Sequence, residues 1–74
     1  MESLFVLSTV TDILIGVYTS HRKAVQAMLM ETIPFNYKMT DYTYELGIEF
    51  YTFTNDKNTE LTYKIQEVIP DQRV

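Results

Sequence analysis

Ser20-His21-Arg22-Lys23 is the one place in this 74-residue chain where a hydroxyl and several basic side chains stand together at a spacing that could do chemistry. A serine just before a helix can accept a hydrogen bond from the N–H groups of the first turn. The basic residues then add positive charge to a helix end that is already positive, where Asp or Glu normally offsets the unsatisfied amides. The chemistry implied is anion capture: Ser20, His21, Arg22 and Lys23 would complete their field with a phosphate, a carboxylate or an acidic partner, through binding that fades with salt. The plainer reading is that Arg22 and Lys23 point into water.

Other chemistry is poorly supplied. His21 is the only histidine and there is no cysteine, whereas structural zinc sites rely on Cys and His together, so neither a metal nor a cofactor is expected. Ser20 and His21 are adjacent, a separation that rarely lets a base reach a nucleophile, and Ser20 is better explained as a helix cap. Glu45 and Glu49 resemble an acid/base pair in spacing only. On one strand they would lie about 13 Å apart at about 3.3 Å per residue, too far for paired-carboxylate catalysis. They read as solvated edge charge, which also discourages sheets from pairing edge to edge. The expectation is a non-enzymatic protein.

The aromatic residues are more suggestive. Six tyrosines, with Phe35, Phe50 and Phe53, are more rings than a core of this size requires. Tyrosine combines a large apolar body with a polar tip and is favoured at interfaces. Tyr37, Tyr42, Tyr44, Tyr51 and Phe53, flanked by Glu45 and Glu49, are the expected partner surface. The alternative is that all nine rings fill a thin core between sheet and helix.

The elements that must position these residues can be read from pattern. The length bounds the chain to a single domain, 1–74, and 46% hydrophobic residues place it among folded proteins. Leu4 to Val10 and Ile13 to Tyr18 are β-rich runs joined by a short Thr11-Asp12 loop. Gly16 in the second run marks a bulge or a close approach, and apolar residues on both faces predict a central or doubly covered strand. A helix is predicted from Ser20 to Thr32, ending before Pro34, with Ala24, Val25, Met28 and Leu29 as its core stripe. Phe35 to Thr40 reads as a loop. From Asp41 to Phe50 the even positions are apolar or aromatic and the odd ones polar apart from Gly47, which predicts one strand with Tyr42, Tyr44, Leu46, Ile48 and Phe50 toward the core. A short helical turn over 40–47 is the alternative. Asn55-Asp56-Lys57-Asn58 is the strongest turn signal and predicts a hairpin between Ile48–Thr54 and Glu60–Ile69. Pro70 should end the last strand, leaving a frayed tail. The fold predicted is α+β: an antiparallel sheet of about four strands in two hairpins, with one helix on a face, in the order β-β-α-β-β.

The net charge of −4 is unevenly spread. Residues 1–40 balance three acids against three bases, while residues 41–74 set seven acids against Lys57, Lys64 and Arg73. That polarity argues against direct nucleic-acid binding, which needs an extended basic footprint. No run approaches the roughly 18 to 20 apolar residues of a membrane helix, and the absence of cysteine favours the cytoplasm. The basic helix start facing an acidic second half also makes a homo-oligomer contact an expectation.

Phe5-Val6-Leu7, then Asp12-Ile13-Leu14-Ile15-Gly16-Val17-Tyr18-Thr19-Ser20, Lys23-Ala24 and Ala27, with Tyr63-Lys64-Ile65-Gln66-Glu67-Val68, resemble a class of small uncharacterised bacteriophage and bacterial proteins. In that class a strand is followed by an IGV(F/Y)(T/S)S strand, a KA..A helix and a closing strand. The resemblance spans about half the chain and implies a fold and a phage or mobile-element origin without an activity. His21-Arg22-Lys23, in place of the acidic charge often found early in that helix, and the Tyr-rich insertion from Phe35 to Phe53 depart from the pattern. Together these readings predict a small protein-interaction module in the host cytoplasm. It would bind and inhibit or redirect a host protein, with a basic nucleic-acid-handling protein as the natural target of a carboxylate stripe. A nucleotide or other anion binder using the helix start, and a structural accessory subunit, are the competing classes.

Overall fold

The computed structural model describes residues 3–69. The predicted end at Pro70 and the tail behind it lie outside the described residues. Five strands, β1 (Leu4–Thr9), β2 (Leu14–Tyr18), β3 (Lys38–Glu45), β4 (Ile48–Thr54) and β5 (Glu60–Val68), form one antiparallel sheet in the order β2-β1-β5-β4-β3. One α-helix, α1 (His21–Thr32), packs on one face and runs into a single 3₁₀ turn at Ile33–Phe35. The α+β class, the antiparallel sheet and the lone helix match expectation. The count does not: the described residues form five strands in the order β-β-α-β-β-β.

The extra strand comes from a hairpin where one continuous strand was expected. Asp41–Phe50 is divided by a two-residue turn, Leu46-Gly47, with both residues at positive φ (54° and 80°), the backbone of the tight turns whose twist suits a hairpin. Consequently Tyr44 pairs with Glu49 and Tyr42 with Tyr51. On the turn side of the Met39–Asp41 register shift, even positions of β3 therefore share a face with odd positions of β4. Tyr42 and Tyr44 lie on the helix side, while Ile48 and Phe50 lie on the opposite, open face. The segment Phe35–Thr40 is correspondingly less of a loop than its composition suggests, since β3 begins at Lys38.

The core lies between α1 and the middle of the sheet: Leu7, Ala24, Met28, Tyr51, Phe53, Tyr63 and Ile65 are buried. The helix stripe follows the predicted spacing through Ala24 and Met28 to Thr32, whose hydroxyl donates to the Met28 carbonyl at 3.1 Å. The central strand is β5. β2 is an edge strand with Leu14 and Val17 exposed, because the helix covers only one face and apolar residues on the other remain open. At Gly16 an added Cβ would meet the Tyr18 hydroxyl at 2.5 Å. The glycine thus leaves room for that ring, next to a register shift in the β1–β2 pairing.

Two turn signals are realised as read. Asn55 closes the β4–β5 hairpin by accepting from the Lys57 and Thr59 amides, both at 2.9 Å. Ser20 caps α1, its Oγ accepting from the Lys23 N–H at 3.1 Å. Replacing Ser20 with alanine is expected to cost about 1 kcal/mol, read as a fall in Tm of roughly 4–8 °C for a domain of this size.

Candidate functional site

β4 places Glu49 on the helix side, beneath the start of α1. Its carboxylate receives three donors: His21 Nε2 at 2.5 Å, the Tyr42 hydroxyl at 2.8 Å and the Tyr51 hydroxyl at 3.0 Å. An ionised carboxylate only accepts, so the His21 nitrogen facing it carries hydrogen. The His21 ring also stands edge-on to Phe5, with centroids 5.8 Å apart. Burial alone would push the Glu49 carboxyl up, but the hydrogen bonds from His21, Tyr42 and Tyr51 together hold it below the usual carboxylate range. Tyr51 is driven well above the ordinary tyrosine value by burial first and by Glu49 second. Tyr42 is raised mainly by its hydrogen bond to Glu49. A carboxylate held ionised by three donors is a weak proton acceptor, and the arrangement works as a clasp between helix and hairpin.

The clasp changes the meaning of the basic helix start. No acid occupies the first turn of α1, yet Glu49 delivers a carboxylate to that end from β4. The Ser20 hydroxyl is taken up by its own helix and the His21 ring by Glu49, while Arg22 and Lys23 are exposed. Glu49 thus engages the His21 part of the expected anion site, while Arg22 and Lys23 stay open to solvent. A cleft of about 130 Å³ remains beside it, walled by Phe5, Tyr44, Ile65 and Glu67.

The expected partner surface is divided. Phe53 (1% exposed) and Tyr51 are core residues, and Tyr37 is half-buried against the core. Glu49 belongs to the clasp, and Glu45 lies on the opposite face of the sheet, paired with Ile48. The carboxylate stripe expected from Glu45 and Glu49 on one strand does not exist, because the two flank the Leu46-Gly47 turn. Tyr42 and Tyr44 do face outward, at 46% and 66% exposure.

Two further residues belong with them. α1 packs chiefly on β1, β2 and β5, so the helix side of β3 is uncovered and all eight of its residues are exposed. Met39 (55% exposed) lies on that side and Leu46 (93%) stands at the hairpin tip. Between β3 and the end of α1 runs a groove of about 380 Å³, lined by Leu29, Ile33, Tyr37, Lys38, Met39 and Phe53. Neither Met39 nor Leu46 carried a recognisable signal: one sits in a stretch that reads as loop, the other in an alternation that reads as core.

Among the described residues no group of three or more His, Cys, Asp or Glu is placed to hold a metal ion. No described helix is long and apolar enough to cross a membrane. No protein-family model, curated protein or solved structure matches the chain.

Proposed function

We propose that this chain is a small non-enzymatic interaction module, phage-encoded, that binds a host protein and inhibits or redirects it through the outward face of the β3–β4 hairpin. Leu46 is the observation that carries this reading. A leucine exposed to 93% and held at φ 54° is unfavourable twice over: side chains with a Cβ resist left-handed angles, and apolar area is left in water. Asn-Gly would make the same turn at lower cost. Strain of this type accumulates at functional positions, and here it presents an apolar tip at the end of the strand that carries Tyr44, Tyr42 and Met39.

Tyrosine and methionine suit such a surface, since both give large adaptable contact area. The negative balance of residues 41–74 favours a basic partner, a nucleic-acid-handling protein being the natural case, by steering encounter and rejecting acidic competitors.

Leu46→Asn separates fold from function. Relieving the left-handed leucine is expected to raise stability by about 1 kcal/mol, a gain of roughly 4–8 °C in Tm. The same change should weaken partner binding by about tenfold or more, as loss of a hot-spot side chain does. Thermal melts and titration of the purified partner read the two effects independently. A stabilised variant that binds as well as the parent would refute the surface.

A further inference from the structure

We propose that the free edge of β3 pairs with the β3 edge of a second copy, antiparallel about a two-fold axis at Tyr42, joining five strands from each copy into one continuous sheet. This rests on the edge itself and stands apart from the host-protein reading. β3 is the last strand of the sheet, and its outer backbone groups have no strand to pair with. The two-residue turn fixes which groups those are. Glu45 and Ile48 flank the turn as a hydrogen-bonded pair, so Tyr44 and Tyr42, in the alternate pairs with Glu49 and Tyr51, turn their N–H and C=O groups outward. The Tyr42 N–H confirms this direction, since it donates to its neighbour's carboxylate, Asp41 Oδ1, at 2.9 Å.

Two-fold pairing of antiparallel strands in one sheet requires each residue to face a partner on the same face of the sheet. A bulge between Met39 and Asp41 brings this about. Because it inserts one extra residue, Lys38 shares the open face with Glu45, and Met39 shares the helix face with Tyr44. With Tyr42 opposite Tyr42 of the second copy, Thr43 faces Asp41 and Tyr44 faces Met39. Lys38 of each copy then meets Glu45 of the other, so opposite charges close both ends of the shared ladder. The helix faces of the two hairpins merge into one tyrosine- and methionine-bearing surface across the axis. Asp41 must release the Tyr42 N–H for the strands to join.

Sedimentation equilibrium of the full chain up to about 1 mM tests this. The parent is expected to dimerise with concentration. Lys38→Glu and Glu45→Lys, each turning two attractive contacts into repulsive ones, should each weaken the dimer by about tenfold. The double variant Lys38→Glu/Glu45→Lys should recover parental affinity, and an equimolar mixture of the two single variants should form a heterodimer tighter than either homodimer. Both positions are exposed, so these variants keep the fold, and circular dichroism checks it. A parent monomeric at every concentration would leave the edge to a strand of another protein and overturn the proposal. So would a dimer indifferent to both reversals, or a mixture that shows no preference for the heterodimer.

Discussion

Truncating Phe53 to alanine is expected to destabilise the domain by about 3–5 kcal/mol, the range for removing a fully buried aromatic ring. Phe53 lies on β4 where the sheet meets α1, edge-on to Tyr63 with centroids 5.9 Å apart. It also walls the groove beside Met39. A cavity there would have little surrounding structure able to collapse into it, because the sheet is covered by one helix on one side only. In a domain of this size the loss is comparable to the whole folding free energy, so the variant should be largely unfolded at 25 °C. Phe53→Leu keeps most of the volume and should remain folded, with a loss of about 1–2 kcal/mol. Urea titrations of the pair measure both. A loss under about 1 kcal/mol for the alanine variant would mean the core does not centre on Phe53.

Glu49→Ala is the second large effect, at about 2–3 kcal/mol near neutral pH, because it strips a charged acceptor from three donors and leaves the half-buried Tyr51 hydroxyl without its partner. The pH dependence carries a definite sign. The carboxyl is held below its ordinary value of 4.5, so the folded state binds its proton less readily than the unfolded chain does. Stability from Glu49 is therefore present above that value and is lost as pH falls through the lower folded-state value. The gap in stability between the parent and Glu49→Gln should stay constant near neutrality and narrow below pH 4.5. Tyr42 and Tyr51 are shifted the other way from 10.0. The fold holds their protons more tightly, and their contribution is lost as pH rises above that value. A gap that does not narrow in acid would show that the Glu49 charge is not what joins helix and hairpin.

Much of this fold could be read from residues whose chemistry admits one local solution. Ser20 before an apolar-periodic segment, Pro34 after it and Asn55 to Asn58 between two alternating runs each specify a cap, a stop or a turn through their own side chains. The β3–β4 hairpin was hidden for a physical reason. A two-residue turn preserves the parity of alternation in sequence while exchanging the faces in space, and Leu46 offers none of the asparagine or aspartate chemistry that marks such turns. One unmarked turn therefore misdirects everything after it: Phe50 to the core, Tyr51 to the surface, and Glu45 and Glu49 to a shared stripe. The site followed the same division. His21 was visible as an unusual residue at a helix start, but its partner lies 28 residues away on another element, and tertiary pairing of that range leaves no mark in local pattern. β2 reads as a central strand because apolar residues on both faces ordinarily imply two covering layers, whereas this sheet has one and β2 is at its edge.

The electrostatic division of the chain also gains a structural meaning. The basic helix start does not stand opposite a remote acidic half, because Glu49 crosses from that half to meet it. What remains outward on the helix side of β3 and at the hairpin tip is Met39, Tyr42, Tyr44 and Leu46, a surface whose apolar and aromatic content is more distinctive than its charge.

Site-specific photocrosslinking tests that surface most directly. A photoreactive phenylalanine analogue is placed at Tyr44 in one sample and at Lys57, in the turn at the other end of β4, in a second, and both are expressed in bacterial host cells. The account predicts that position 44 yields an adduct with one host protein, that position 57 does not, and that Leu46→Asn in the same chain abolishes the adduct while the fold is retained. Identical adducts from both positions, or none from position 44, would contradict it.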